Sequence, residues 1–133
     1  MASASLRHPI QEFMTRAPHS IGQDQTLAVA HEHMRDFGLR HLPVLKGGRL
    51  VGILSQRDLL FIETLRDVDP AAVPVEDAMS TDVFTVGKDT PLANVAAEMA
   101  EHKYGCAVVV EGARVIGIFT TVDALRVLVD AVS

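Results

Sequence analysis

Long apolar runs are missing from this chain of 133 residues, which excludes a membrane-spanning helix, since one needs roughly 18 to 20 consecutive apolar residues. The opening segment, Met1 to Pro9, lacks the charged-then-apolar order of a secretory signal, so the sequence predicts a soluble, cytoplasmic protein. Cysteine is almost absent: Cys106 alone cannot form an internal disulfide, which suits a reducing compartment and excludes a cysteine-rich zinc site. Basic residues are in deficit, 12 against 17 acidic, for a formal net charge of -5. The cationic footprint of phosphate-backbone binding is therefore missing, and neither nucleic acid nor a membrane is an expected partner.

Catalytic constellations are missing as well. There is no Walker loop, no triad and no paired-carboxylate site, so the reading is not an enzyme. Six histidines are present, but His31 and His33 stand two apart on a predicted helix, about 200° around it, and cannot share an ion. His8, His19, His41 and His102 show no ligand spacing, and no metal and no required cofactor is expected. What the chain does have is 48% hydrophobic residues, enough for a core.

It also has an internal repeat. A shift of 65 positions lays Met14 to Leu60 on Met79 to Leu125 without a gap, and identities recur at Met14/Met79, Asp24/Asp89, Leu27/Leu92, Gly52/Gly117, Ile53/Ile118 and Asp58/Asp123, among others. Each copy begins with a short extended piece, His19 to Ile21 and Val83 to Val86. Leu27, Ala30, Met34 and Phe37 then recur at helical spacing, as do Leu92, Val95 and Met99, so each stretch reads as an amphipathic helix with one buried stripe. Pro91 suits a helix first turn. Hairpins follow, Leu42 to Leu45 with Leu50 to Leu54 and Cys106 to Val110 with Val115 to Phe119, each around a glycine-containing turn. A second helix closes each copy, near Gln56 to Arg66 and Thr121 to Val132. The expected fold class is α+β, two pseudo-twofold-related β-α-β-β-α motifs packed through their sheets, with boundaries at 1-66, a linker 67-74 and 75-133. One unit of about 60 residues buries too little surface to stand comfortably alone, so the copies are expected to share a core and to form paired clefts. Met14, Met34, Met79 and Met99 read as core packing, and Cys106 as a buried small hydrophobe.

Where each hairpin hands over to its second helix, Ser55-Gln56-Arg57-Asp58 and Thr120-Thr121-Val122-Asp123 stand at matching positions. A hydroxyl followed three residues later by an acid is a capping box. The same helix start also reads as an anion site, with the aspartate free to accept from a ribose diol.

Gly38-Leu39-Arg40-His41-Leu42-Pro43-Val44, then Gly48 to Leu59, together with Asp77-Ala78-Met79 and Val115 to Leu125 in the second copy, resemble the cystathionine-β-synthase (CBS) domain. The resemblance runs from about Ile10 to Leu128 and implies a stand-alone CBS pair, a Bateman module binding adenosine-containing ligands: AMP, ADP or ATP, with S-adenosylmethionine or NAD as the alternative. It implies that Asp58 and Asp123 hold ribose hydroxyls and that Ser55 and Thr120 lie near ribose or phosphate. By the same resemblance Arg40 and His41, ahead of the family proline Pro43, reach phosphate, with Arg57 as a further cation, and Ser20-Ile21 and Thr85-Val86 line the adenine.

The second copy departs from this pattern. Lys103 stands at the Gly38 position, Val108 at that of Pro43, and Gly105 and Cys106 at those of Arg40 and His41. Unequal sites are expected, the copy with Asp58 binding phosphate better. Lys103 and Tyr104 either supply charge and stacking to a ligand or cover the helix end. An apolar last helix, Ala124, Leu125, Val127, Leu128, Val129 and Val132, with mean hydropathy of +0.22, predicts a homodimer. A regulated partner protein is expected to read the ligand state; the competing reading is a ligand-free interaction module in which Ser55 and Thr120 are only caps.

Overall fold

The computed structural model describes residues 6–133; residues 1–5, where the expected first motif begins, lie outside the described residues. In chain order the strands and α-helices are β1 (Thr15–Arg16), β2 (Ile21–Gly22), α1 (Leu27–Phe37), β3 (His41–Lys46), β4 (Arg49–Ser55), α2 (Gln56–Arg66), β5 (Thr85–Val86), α3 (Leu92–His102), β6 (Cys106–Glu111), β7 (Arg114–Thr120) and α4 (Thr121–Val132). This is the expected α+β alternation in two copies, with two sheets. The leading strands are shorter than the sequence suggested, and Pro91 sits one position outside α3, as its N-cap.

The chain divides into two compact units, His19–Val83 and the residues up to Pro18 with Phe84–Ser133. In His19–Val83, Leu27, Ala30 and Met34 return at helical spacing and form the buried stripe of α1. The Thr26 hydroxyl caps the helix by accepting from the Val29 amide, and Gly38 ends it in the left-handed conformation, φ 65°. Phe37 does not continue the stripe. It is 49% exposed and stacks on His19, ring centroids 3.7 Å apart. β3 and β4 pair antiparallel from Lys46↔Arg49 to His41↔Ser55, and β2 runs parallel along β3, giving the order β2-β3-β4. The turn between β3 and β4 is Gly47-Gly48, both at positive φ (57° and 79°), the conformation that matches the twist of a two-residue hairpin. Ile21, Leu42, Val44, Leu54 and Leu59 complete a core with the α1 stripe.

The other unit repeats the plan, with sheet order β1-β7-β6-β5 and a core of Leu92, Val95, Met99, Ala107, Val109 and Phe119. α3 ends on Lys103 in the left-handed conformation, φ 59°, where the first copy has a glycine. That geometry costs a side-chain-bearing residue about 1 kcal/mol.

The compact units cut the chain differently from the sequence repeats. Each repeat has a leader containing a short 3₁₀ turn, Ile10–Glu12 and Val75–Asp77, and each leader packs with the other repeat. Ile10 is fully buried in the core of the second copy and Val75 in that of the first. β1 adds to β7, Thr15 facing Ile118, while Ser80 bridges to Ile53. Met14 lies over Gly117 and Met79 over Gly52, so these two methionines pack on strand glycines rather than in the deepest core. A Cβ on Gly52 would stand 2.9 Å from the Ser80 carbonyl oxygen, which explains why the strand is bare there.

Candidate functional site

In His19–Val83 the site forms where β4 ends and α2 begins. His41 faces Ser55 across the hairpin, and the Gln56 amide donates to the Arg40 carbonyl at 2.9 Å, so Arg40 and His41 are fixed beside the first turn of α2. Ser55 is extended (φ -104°, ψ 158°). Its hydroxyl accepts from the Asp58 amide at 3.0 Å, and Asp58 Oδ2 accepts from the Ser55 amide at 3.2 Å, a complete capping box. Asp58 Oδ1 has no partner among the described residues, and the carboxylate is half-buried. Burial lowers the pKa of His41, with Asp58 raising it and Arg40 lowering it further. His41 is thus neutral at pH 7, able to donate one hydrogen bond and accept another, while Arg40 beside it keeps a full positive charge.

The other expected residues take different places. Pro43 is fully buried, and Ile21 is 2% exposed with its side chain in the core, so what Ile21 can offer a ligand is backbone. Ser20 is half-buried just ahead of β2. Arg57 lines an open apolar groove of about 500 Å³ along the outer face of α2, with Leu60, Phe61 and Leu65, rather than joining His41.

The matching place in the other unit is built alike and filled differently. The Thr121 amide donates to the Gly105 carbonyl at 3.2 Å. Thr120 accepts from the Asp123 amide at 3.3 Å, and Asp123 Oδ2 accepts both the Thr120 amide at 2.9 Å and the Thr120 hydroxyl at 3.2 Å. Asp123 Oδ1 lies 3.6 Å from the Arg126 guanidinium, and Asp123 is only 8% exposed. Cys106, in the position of His41, is buried, and burial pushes its thiol up to about 12, which leaves it an inert thiol. Tyr104 stacks on Phe84 and on His102, centroids 5.0 and 5.2 Å away, so its ring is engaged within the protein. Lys103 closes α3, as the helix-end reading expects. Thr85 is exposed and Val86 half-buried, facing Val108 and Val109.

Three groups escaped the sequence reading. Thr15 and Ser80 stand 65 apart, each on a leader lying beside the strand that leads into a capping box, and the repeat offset was the signal that pairs them. Arg126, three residues beyond Asp123, was signalled by helical spacing. Donor atoms of Glu98, Glu101 and His102 also converge within 4.8 Å on α3, but all three residues are exposed and His102 already pairs with Glu98 at 3.3 Å, an arrangement helices carry without ions.

Two tracts of the chain, residues 10–63 and 75–130, match the family model described as the CBS domain. The crystal structure of the Vibrio cholerae protein AcuB superposes with a TM-score of 0.85 at 32% identity, over 93% of this chain and 92% of that one. The structure of CBSX2 in complex with AMP superposes with a TM-score of 0.83 at 24% identity, over 95% and 99%. An inosine-5'-monophosphate dehydrogenase of Korarchaeum cryptofilum is 31% identical over 114 residues; the match takes in 85% of this chain but only 23% of the dehydrogenase.

Proposed function

The chain belongs to the CBS domain family, and we propose that it is a regulatory pair that binds an adenosine nucleotide, AMP, ADP or ATP, at its two capped helix starts. The observation that carries this reading is the unused Oδ1 of Asp58 beside Arg40 and His41. A carboxylate with one free, half-buried oxygen accepts from a ribose diol, and the neighbouring guanidinium pairs with a phosphate. The capping box holds that carboxylate in place before any ligand arrives, so little side-chain freedom is lost on binding. AMP in the CBSX2 structure supports the ligand class. No chemistry is asked of the protein: the site residues hydrogen-bond and pair charge, and the ligand shifts the population of conformers that a partner protein reads.

A second reading is favoured by the completeness of both boxes. Each aspartate is already employed as a cap, which is all a ligand-free interaction module needs. Thermal-shift titration with AMP, ADP, ATP, S-adenosylmethionine and NAD separates the readings. A ligand at 100 times its dissociation constant stabilises by about 2.7 kcal/mol, and the nucleotide reading expects that rise with an adenosine phosphate and its loss in Asp58→Ala. A flat response to every ligand leaves the interaction module; a response to S-adenosylmethionine or NAD alone moves the site to those ligands. Exposed Leu60, Phe61 and Leu65 on α2 and Leu125, Leu128, Val129 and Val132 on α4 support self-association as a homodimer. Light scattering that finds a 14.4 kDa particle overturns the dimer.

A further inference from the structure

At the end of the β2-β3-β4 sheet away from Ser55, a cavity of about 440 Å³ opens between the segment Gly22 to Gln25 and the β3-β4 turn, with Ser20 and Ile21, the residues expected along an adenine, at its inner edge. Its walls carry two opposite charges. Lys46 stands at the last position of β3 and Asp24 follows β2, and neither enters an ion pair among the described residues. The turn adds two backbone donors. The amides of Gly47 and Gly48, in consecutive left-handed conformations, have no acceptor among the described residues, and a turn of this kind presents its N–H groups to an anion. Gln25 Oε1 accepts from the Gly22 amide at 2.7 Å, which pins the opposite wall and leaves the Gln25 NH₂ as a donor.

In the second copy the same place is bridged by an ion pair. The positions matching Gln23 and Lys46 are Lys88 and Glu111, and these form an ion pair at 3.0 Å that binds the hairpin to the loop. In the first copy the loop residue is neutral and the hairpin residue has become a cation, so the tie cannot form.

We propose that this cavity is a second binding site, distinct from the capped helix starts, for a small zwitterion of the α-amino-acid type. Its carboxylate pairs with Lys46 and the glycine amides, and its ammonium pairs with Asp24. Asp24 and Lys46 are both exposed, so the selection is Coulombic: a simple anion is repelled by Asp24 and a simple cation by Lys46, whereas a molecule carrying both charges is attracted to both walls. The half-buried Leu45 gives a short apolar side chain a surface to cover.

The test is an amide-resolved NMR titration of the full chain with glycine, L-alanine and L-glutamate, with acetate, inorganic phosphate and methylamine alongside. At least one amino acid is expected to shift the Gly47 and Gly48 amides saturably, at least tenfold more tightly than acetate, phosphate or methylamine. The double variant Gln23→Lys/Lys46→Glu, which installs the ion pair of the second copy and so keeps the fold tied, should abolish those shifts while leaving AMP binding at Asp58 intact. Absence of a saturable shift with every amino acid overturns the site, as does binding that survives in the double variant. Acetate or phosphate binding as tightly as the amino acids overturns the zwitterion in favour of a plain anion site.

Discussion

The two copies begin their second helices with the same hydrogen bonds and yet differ in how much of the aspartate is left over. Asp58 spends one oxygen on its cap and keeps the other half-open to solvent beside an arginine and a neutral histidine. Asp123 spends one oxygen on two donors, has an arginine against the other, and is 8% exposed. On the proposed reading the same motif is used unequally: the first copy's cap leaves a carboxylate oxygen for a ligand, whereas the second copy's carboxylate is largely taken up by the helix and makes the weaker site. The spacing shared by the two copies says that a cap is present; its surroundings say whether anything remains to bind with.

The comparison breaks most visibly at the strand glycines. Gly52→Ala drives a methyl into the Ser80 backbone and should cost about 2 to 3 kcal/mol in chemical denaturation, whereas Gly117→Ala meets only the flexible Met14 side chain and should cost about 1 kcal/mol. Equal losses would show that the leaders pack more alike than described. Next in size are the caps: Asp123→Ala, which strips both an amide and a hydroxyl of their acceptor, should lose about 1 to 2 kcal/mol of stability, more than Asp58→Ala. The reverse order in a urea melt would contradict the division of labour.

The helix ends sharpen it further. Lys103→Gly supplies the residue that Gly38 supplies in the first copy and should stabilise by up to about 1 kcal/mol, while Gly38→Ala should destabilise by a similar amount. A loss on Lys103→Gly would mean that the lysine side chain does more than close the helix.

The smallest effect is the pH dependence. Because the folded pKa of His41 is below its ordinary value of 6.5, the unfolded chain takes up the proton first, and stability drains away as pH falls below 6.5. His41→Cys, the residue of the second copy, should flatten that slope just below pH 6.5 relative to the parent chain. An unchanged slope would place the acid sensitivity elsewhere.

Most of the fold was legible because the repeat and the 3.6-residue stripes are written in single residues: Leu27, Ala30 and Met34 predict a face, and that face is buried. Phe37 misled because spacing alone does not reveal that a helix's last residue has left the core for His19. The exchange of leaders was not legible at all. Ile10 and Val75 read as apolar residues of their own repeats, and only long-range pairing shows each filling the other's core. At the site, Ser55, Asp58, Thr120 and Asp123 came from spacing, and Arg40 and His41 from resemblance. Which aspartate keeps a free oxygen depends on Arg126 and on burial, which no local pattern encodes.

Calorimetric titration of AMP into Asp58→Asn and Asp123→Asn decides whether the two aspartates are unequal, since asparagine preserves each cap while removing the charge proposed to hold a ribose diol. Asp58→Asn should weaken the tighter site at least tenfold, and Asp123→Asn should leave it within about twofold of the parent. Equal weakening by both, or loss only in Asp123→Asn, would contradict it.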